Sequence, residues 1–106
     1  MGFWDLFRAE DINKGFLQYR NTVGAILLDV RTPEEFSQGH LPHSVNLPLQ
    51  KLSAISSVTE NRQTPLFVYC QSGARSRQAV AMLRQMGYTE INNIGGISGY
   101  CGKVER

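Results

Sequence analysis

The sequence predicts an α/β fold in which helices cover both faces of a mainly parallel sheet. Two continuous apolar runs predict the sheet: Ala25-Ile26-Leu27-Leu28 leading into Asp29-Val30, and Leu66-Phe67-Val68-Tyr69 leading into Cys70. Neither alternates with polar residues, which is the pattern of strands buried on both faces. Amphipathic stretches lie between the runs, and strands alternating with helices build βαβ units.

In chain order, Ile12, Phe16 and Tyr19 recur at helical spacing and predict a helix from about Ala9 to Tyr19. Gly15 weakens that helix by about 1 kcal/mol relative to alanine. After the first strand, Thr32-Pro33-Glu34-Glu35 reads as a helix start, with threonine as N-cap, proline at the first helical position and Glu35 closing a capping box. Gly39 stops that helix within two turns. Ser44-Val45-Asn46-Leu47 is a short strand candidate, and Leu49, Leu52 and Ile55 suggest another short helix. Ser56 to Thr64 is a polar connection ending at Pro65. The second long strand ends at Cys70, and the helix beyond the following turn carries Ala79, Met82, Leu83 and Met86 on one face, with Gly87 at its C′ position. Ile91-Asn92-Asn93-Ile94 is the last strand candidate. Parallel strands point their C-terminal ends the same way, so Asp29, Arg31 and Cys70 are expected on one rim of the sheet.

The 106 residues suffice for one domain, 1–106, with 42% hydrophobic and 19% charged side chains. A formal charge of +2, from 11 basic and 9 acidic residues, is too weak to argue for nucleic acid or a membrane surface, so neither is expected as a partner. Cys70 and Cys101 are too few for a disulfide framework and lack zinc-site spacing, so no metal is expected. Met1-Gly2-Phe3-Trp4-Asp5-Leu6-Phe7 has no basic or apolar region of a signal peptide, and no run approaches the roughly 18 apolar residues of a membrane span. A reducing, cytoplasmic location is the default expectation, and there a lone thiol stays available for chemistry.

The segment Cys70-Gln71-Ser72-Gly73-Ala74-Arg75-Ser76 joins the buried strand to the helix, where an open α/β sheet places its ligand site. A cysteine ending an apolar strand is commonly an inert buried hydrophobe. Here the neighbours argue otherwise. Gly73 lets the backbone curl, and the small residues Ser72, Ala74 and Ser76 leave several amide N–H groups free to converge on the sulfur as an anion-binding nest. Such bonds to an ionised acceptor are worth about 1.5 to 3 kcal/mol each, more than the helix dipole at about 0.3 to 1 kcal/mol. Both effects favour the thiolate. Arg75 stands at the wrong end of a helix dipole for a cation, and an anion nearby would explain it. Ser72 and Ser76 add hydroxyl donors, and Ser76 would also suit an N-cap.

Cys70-x-x-Gly73-x-Arg75 resembles the active-site loop of the rhodanese family. The stretch from Leu28-Asp29-Val30-Arg31 through Pro33, Glu35-Phe36 and Gly39-His40-Leu41-Pro42 to Ser44, Asn46-Leu47-Pro48 resembles that family's first signature, and Gly95-Gly96-Ile97-x-x-Tyr100 its double-glycine segment. The resemblance implies a five-stranded parallel sheet and sulfur transfer by double displacement. Cys70 would take the outer sulfur of a donor such as thiosulfate, polysulfide or a persulfide, and pass it to cyanide, a thiol or a protein sulfur acceptor. Gln71, Ser72, Gly73, Ala74, Arg75 and Ser76 would form the cradle for the sulfur, with no metal or organic cofactor. Arg75 would either bind the anionic donor or hold the loop. Asp29 and Arg31 are expected to form a structural ion pair, His40 to fix a turn, and His43 to be solvated. Tyr100 stands where the family commonly carries tryptophan. Cys101 is expected to be a free thiol, the sharper alternative being that it resolves a Cys70 persulfide or sulfenic acid.

Two other functions compete. Cysteine phosphatases and arsenate reductases with a related fold place five residues between cysteine and arginine; here there are four, Gln71 to Ala74, a tighter loop that suits a sulfur atom. Non-catalytic interaction modules share the fold but often lack the cysteine, which this chain keeps.

Overall fold

Runs with no face tolerant of water must lie at the centre of a sheet, and both do. The computed structural model describes residues 11–106; Met1 to Phe7, which lack the regions of a signal peptide, and the expected helix start at Ala9 lie outside the described residues. Helix α1 (Ile12–Arg20) is capped by Asp11, whose carboxylate accepts from the backbone N–H groups of Asn13 and Lys14. There follow β1 (Ile26–Asp29), α2 (Pro33–Gln38), β2 (Val45–Asn46), a 3-10 helix (Leu49–Ser57), β3 (Leu66–Cys70), α3 (Ala74–Gln85), β4 (Ile91–Gly96) and a short 3-10 turn (Ile97–Gly99). Among the described residues no helix is long and apolar enough to cross a membrane.

The sheet runs β2-β1-β3-β4 and every pairing is parallel. The resemblance implied five strands, and the described residues form four. Their one further extended pairing, His40 with Glu105, is an isolated antiparallel bridge that starts no ladder. The short helix expected around Leu49, Leu52 and Ile55 is a 3-10 helix. Its apolar residues recur every three positions, the 3-10 period, so this winding seals Leu52 and Ile55 into the core with Leu49 packed against them.

Side chains alternate across β3: Leu66, Val68 and Cys70 join the core beneath α3 and the Leu49–Ser57 helix, while Phe67 and Tyr69 join the core beneath α1. On α3, Ala79 and Leu83 are buried as the spacing predicts. Met82 is exposed, and Val80 takes the inward position in its place. Gly15 weakens α1 by propensity but is needed sterically, because a Cβ there would overlap Ile94 of β4. The β3–β4 register shifts after Val68: Val68 pairs with Asn93 and Tyr69 with Gly95, leaving Ile94 as an extra residue. That bulge carries Gly96 to the register of Cys70.

Candidate active site

Cys70 is the last residue of β3 and is buried, 1% exposed. The chain then turns through Gln71 and Ser72 to Gly73, whose φ of +104° lies in the left-handed region that glycine enters without strain. This turn aims the start of α3 at the sulfur. The N–H of Gly73 donates to Cys70 Sγ at 2.9 Å, and the N–H groups of Ser72 and Ser76 also face it. Ser76 is fully buried one turn into α3, with its hydroxyl 3.5 Å from the sulfur. The N-cap position is held by Gly73 and not by Ser76. Burial pushes the Cys70 thiol up, but the Ser76 hydroxyl and the N–H groups of Ser76, Gly73 and Ser72 outweigh it, so the thiol ionises below its ordinary value of 9.0.

Ser76 has one hydroxyl proton and three acceptors in reach: Cys70 Sγ, Gly73 O at 3.0 Å and Asn93 Oδ1 at 2.8 Å. With a neutral thiol, S–H donates to Ser76 and Ser76 donates onward. With a thiolate, the hydroxyl turns its proton to sulfur. Asn93 Oδ1 also accepts the Gly95 N–H at 2.9 Å, which ties the strand bulge to the same hydroxyl.

The loop is braced on two sides. Arg75 donates to both oxygens of Glu35, at 2.7 and 2.9 Å, and this half-buried pair joins the start of α3 to α2. The anion that explains a cation at this helix end is thus a carboxylate of the same chain. Glu35 also closes the capping box with Thr32, as expected, and its carboxyl is held down to about 2, first by the Arg75 hydrogen bonds. On the other side, Arg31 pairs with Asp29 at 2.7 Å in full burial, the structural ion pair expected at this rim. Arg31 also donates to Gln71 Oε1 at 3.3 Å and to the carbonyl of Gly39 at 2.8 Å, linking the loop to the end of α2. Below the loop, a Cβ on Gly96 would collide with the Gln71 carbonyl and come within 2.6 Å of Ser72 Cα.

The expected site residues divide accordingly. Ser72, Gly73 and Ser76 face the sulfur through backbone or hydroxyl, Gln71 and Arg75 brace the loop, and exposed Ala74 opens α3. His40 fixes its turn as expected, stacked on Phe36 with Nδ1 2.8 Å from the Phe36 carbonyl, and His43 is exposed. Cys101 is exposed and free; its N–H donates to Asn13 of α1 and its sulfur lies 3.7 Å from the Gly99 carbonyl. Those partners stand on the α1 side of the sheet, whereas Cys70 packs on the α3 side, so the resolving alternative gains no support. Two residues escaped the sequence reading of the site. Glu35 was assigned only its cap, although Arg75 already called for an anion. Asn93 was assigned only to a strand, although adjacent asparagines are poor strand formers and mark an irregularity.

The family model for the rhodanese-like domain matches residues 13–103. The chain is 37% identical over 71 residues to the thiosulfate sulfurtransferase PspE of Escherichia coli, covering 66% of this chain and 68% of that protein. It is 39% identical over 77 residues to a sulfurtransferase of Allochromatium vinosum, covering 72% and 70%. Among solved structures, a rhodanese with anions from E. coli superposes with a TM-score of 0.73 at 31% identity, covering 77% of this chain and 98% of that one. The register, the Cys70 loop and these similarities agree, and the chain belongs to the rhodanese-like domain family.

Proposed function

We propose that this protein is a sulfurtransferase that carries sulfane sulfur on Cys70. The observation that carries the proposal is the convergence of backbone N–H groups and the Ser76 hydroxyl on one buried sulfur at the end of β3. In the first half-reaction the Cys70 thiolate attacks the outer sulfur of a donor. For thiosulfate, the donor S–S bond breaks, sulfite leaves with its electron pair, and Cys70 holds a persulfide anion. The N–H nest stabilises that terminal charge. In the second half-reaction a thiolate or cyanide attacks the outer sulfur and Cys70 leaves as thiolate, ready for another cycle. The names of the relatives, thiosulfate sulfurtransferase and sulfurtransferase, support the reaction class.

In this reading Cys70 is the nucleophile, Ser72, Gly73 and Ser76 hold the transferred sulfur, and Gln71, Ala74 and Arg75 complete the loop. A small sulfur donor and a thiol, cyanide or protein sulfur acceptor are the partners. A reducing compartment such as the cytoplasm suits the chemistry, because it keeps Cys70 available as a thiolate.

The test is steady-state transfer of sulfur from thiosulfate to cyanide, read as thiocyanate. Turnover that Cys70→Ser abolishes supports the proposal. Absence of turnover with substantial aryl phosphate hydrolysis would favour a phosphatase, and inactivity with every sulfur donor would favour an interaction module.

A further inference from the structure

The Cys70 loop carries one cationic side chain, Arg75, and its charge is already spent. Both terminal guanidinium nitrogens are bonded to Glu35, and Glu35 is itself anchored by the Thr32 N–H at 3.0 Å and hydroxyl at 3.2 Å. The nearby Arg31 is buried and neutralised by Asp29. Arg75 nonetheless stands within electrostatic reach of the Cys70 sulfur, so its charge bears on whatever approaches there. The cradle for the sulfur consists of N–H and O–H dipoles, which suit one anionic atom. A dianion arriving beside it finds an ion pair of zero net charge.

Resting on the sulfurtransferase reading, we infer that Glu35 sets the donor charge: by holding Arg75 it disfavours dianionic donors such as thiosulfate and favours sulfane donors of lower charge, such as organic persulfides. The chemistry is unchanged. The Cys70 thiolate attacks the outer sulfur, the donor S–S bond breaks, and the electron pair leaves on a thiolate in place of sulfite, with no outside oxidant or reductant. What changes is the repulsion met on approach.

Two donors that differ in charge test this: thiosulfate, a dianion, and methanethiosulfonate, a monoanion that leaves methanesulfinate. Glu35→Gln keeps a capping-box residue and a carbonyl acceptor for Arg75 while removing the charge. In this variant kcat/KM rises about tenfold for thiosulfate and about threefold for methanethiosulfonate, because each donor charge meets one further unit of positive charge in a wet, high-dielectric entrance. The gain shrinks as salt is raised. Glu34→Gln, which removes an exposed charge one residue away, leaves the ratio of the two donors unchanged. A loosened loop would lower both donors together. Equal changes for both donors, or a gain insensitive to salt, overturn the inference while the sulfurtransferase reading stands. Failure of both donors to load wild-type Cys70 overturns that reading and the inference with it.

Discussion

Asn93 Oδ1 accepts the Ser76 hydroxyl at 2.8 Å, across the contact between β4 and α3. The bond orients the hydroxyl nearest the Cys70 sulfur while the thiol is neutral, and it makes a strand residue part of the thiol's environment. Asn93→Asp keeps an oxygen for Ser76 and for the Gly95 N–H but adds a negative charge beside the sulfur. A like charge disfavours the thiolate. The pH midpoint of Cys70 alkylation should therefore move up in Asn93→Asp. Ser76→Ala should move it the same way and slow alkylation at neutral pH about tenfold, the worth of one hydrogen bond to a charged sulfur. An unmoved midpoint in both variants would remove Ser76 and Asn93 from the site.

The Glu35–Arg75 pair predicts an acid-labile brace. Glu35 titrates at about 2 in the folded chain against an ordinary 4.5, so the unfolded state binds the proton first as pH falls. The pair's stabilisation is thus complete above about pH 5 and lost progressively as pH falls from there toward 2. With side chains 34% and 30% exposed, it is worth about 1 to 2 kcal/mol after solvent screening. Urea melts at pH 6 and pH 3 should show a pH dependence smaller by about 1 kcal/mol in Arg75→Met than in wild type, the loss being incomplete at pH 3; identical dependence would contradict the brace.

Gly96 has no room for a side chain, because its Cβ would meet the backbone of Gln71 and Ser72. Backbone cannot rotate away as a side chain can. Gly96→Ala should cost about 1 to 3 kcal/mol by overpacking and reduce sulfur loading of Cys70 beyond what the lost stability explains. Thermal melting and loading measured on the same preparation check both parts.

Cys101 is held on the α1 side by Asn13. Cys101→Ser should leave the lifetime of a Cys70 persulfide unchanged. A longer lifetime in the variant would restore the resolving role.

The strands were legible because burial on both faces writes an unbroken apolar run, as in Leu66 to Cys70, and the Thr32 to Glu35 cap was legible because its chemistry is local. The signature segments also put Cys70, Gly73, Arg75 and the double glycine in view. What the sequence hid depends on register. Asn93 reaches Ser76 because it pairs with Val68, whose side chain lies on the face that α3 covers, and Glu35 meets Arg75 because α2 and α3 begin at the same rim. The inward turn of Val80 in place of Met82 depends likewise on how α3 lies over the sheet, which periodicity within one helix does not encode.

The central claim is that Cys70 carries the transferred sulfur, and the intact mass of the protein after incubation with thiosulfate and removal of excess donor tests it most directly. The account predicts one added sulfur, located on the Cys70 peptide, absent in Cys70→Ser, retained in Cys101→Ser and discharged by cyanide. A mass unchanged across thiosulfate, methanethiosulfonate and an organic persulfide, or an added sulfur that persists in Cys70→Ser, would contradict it.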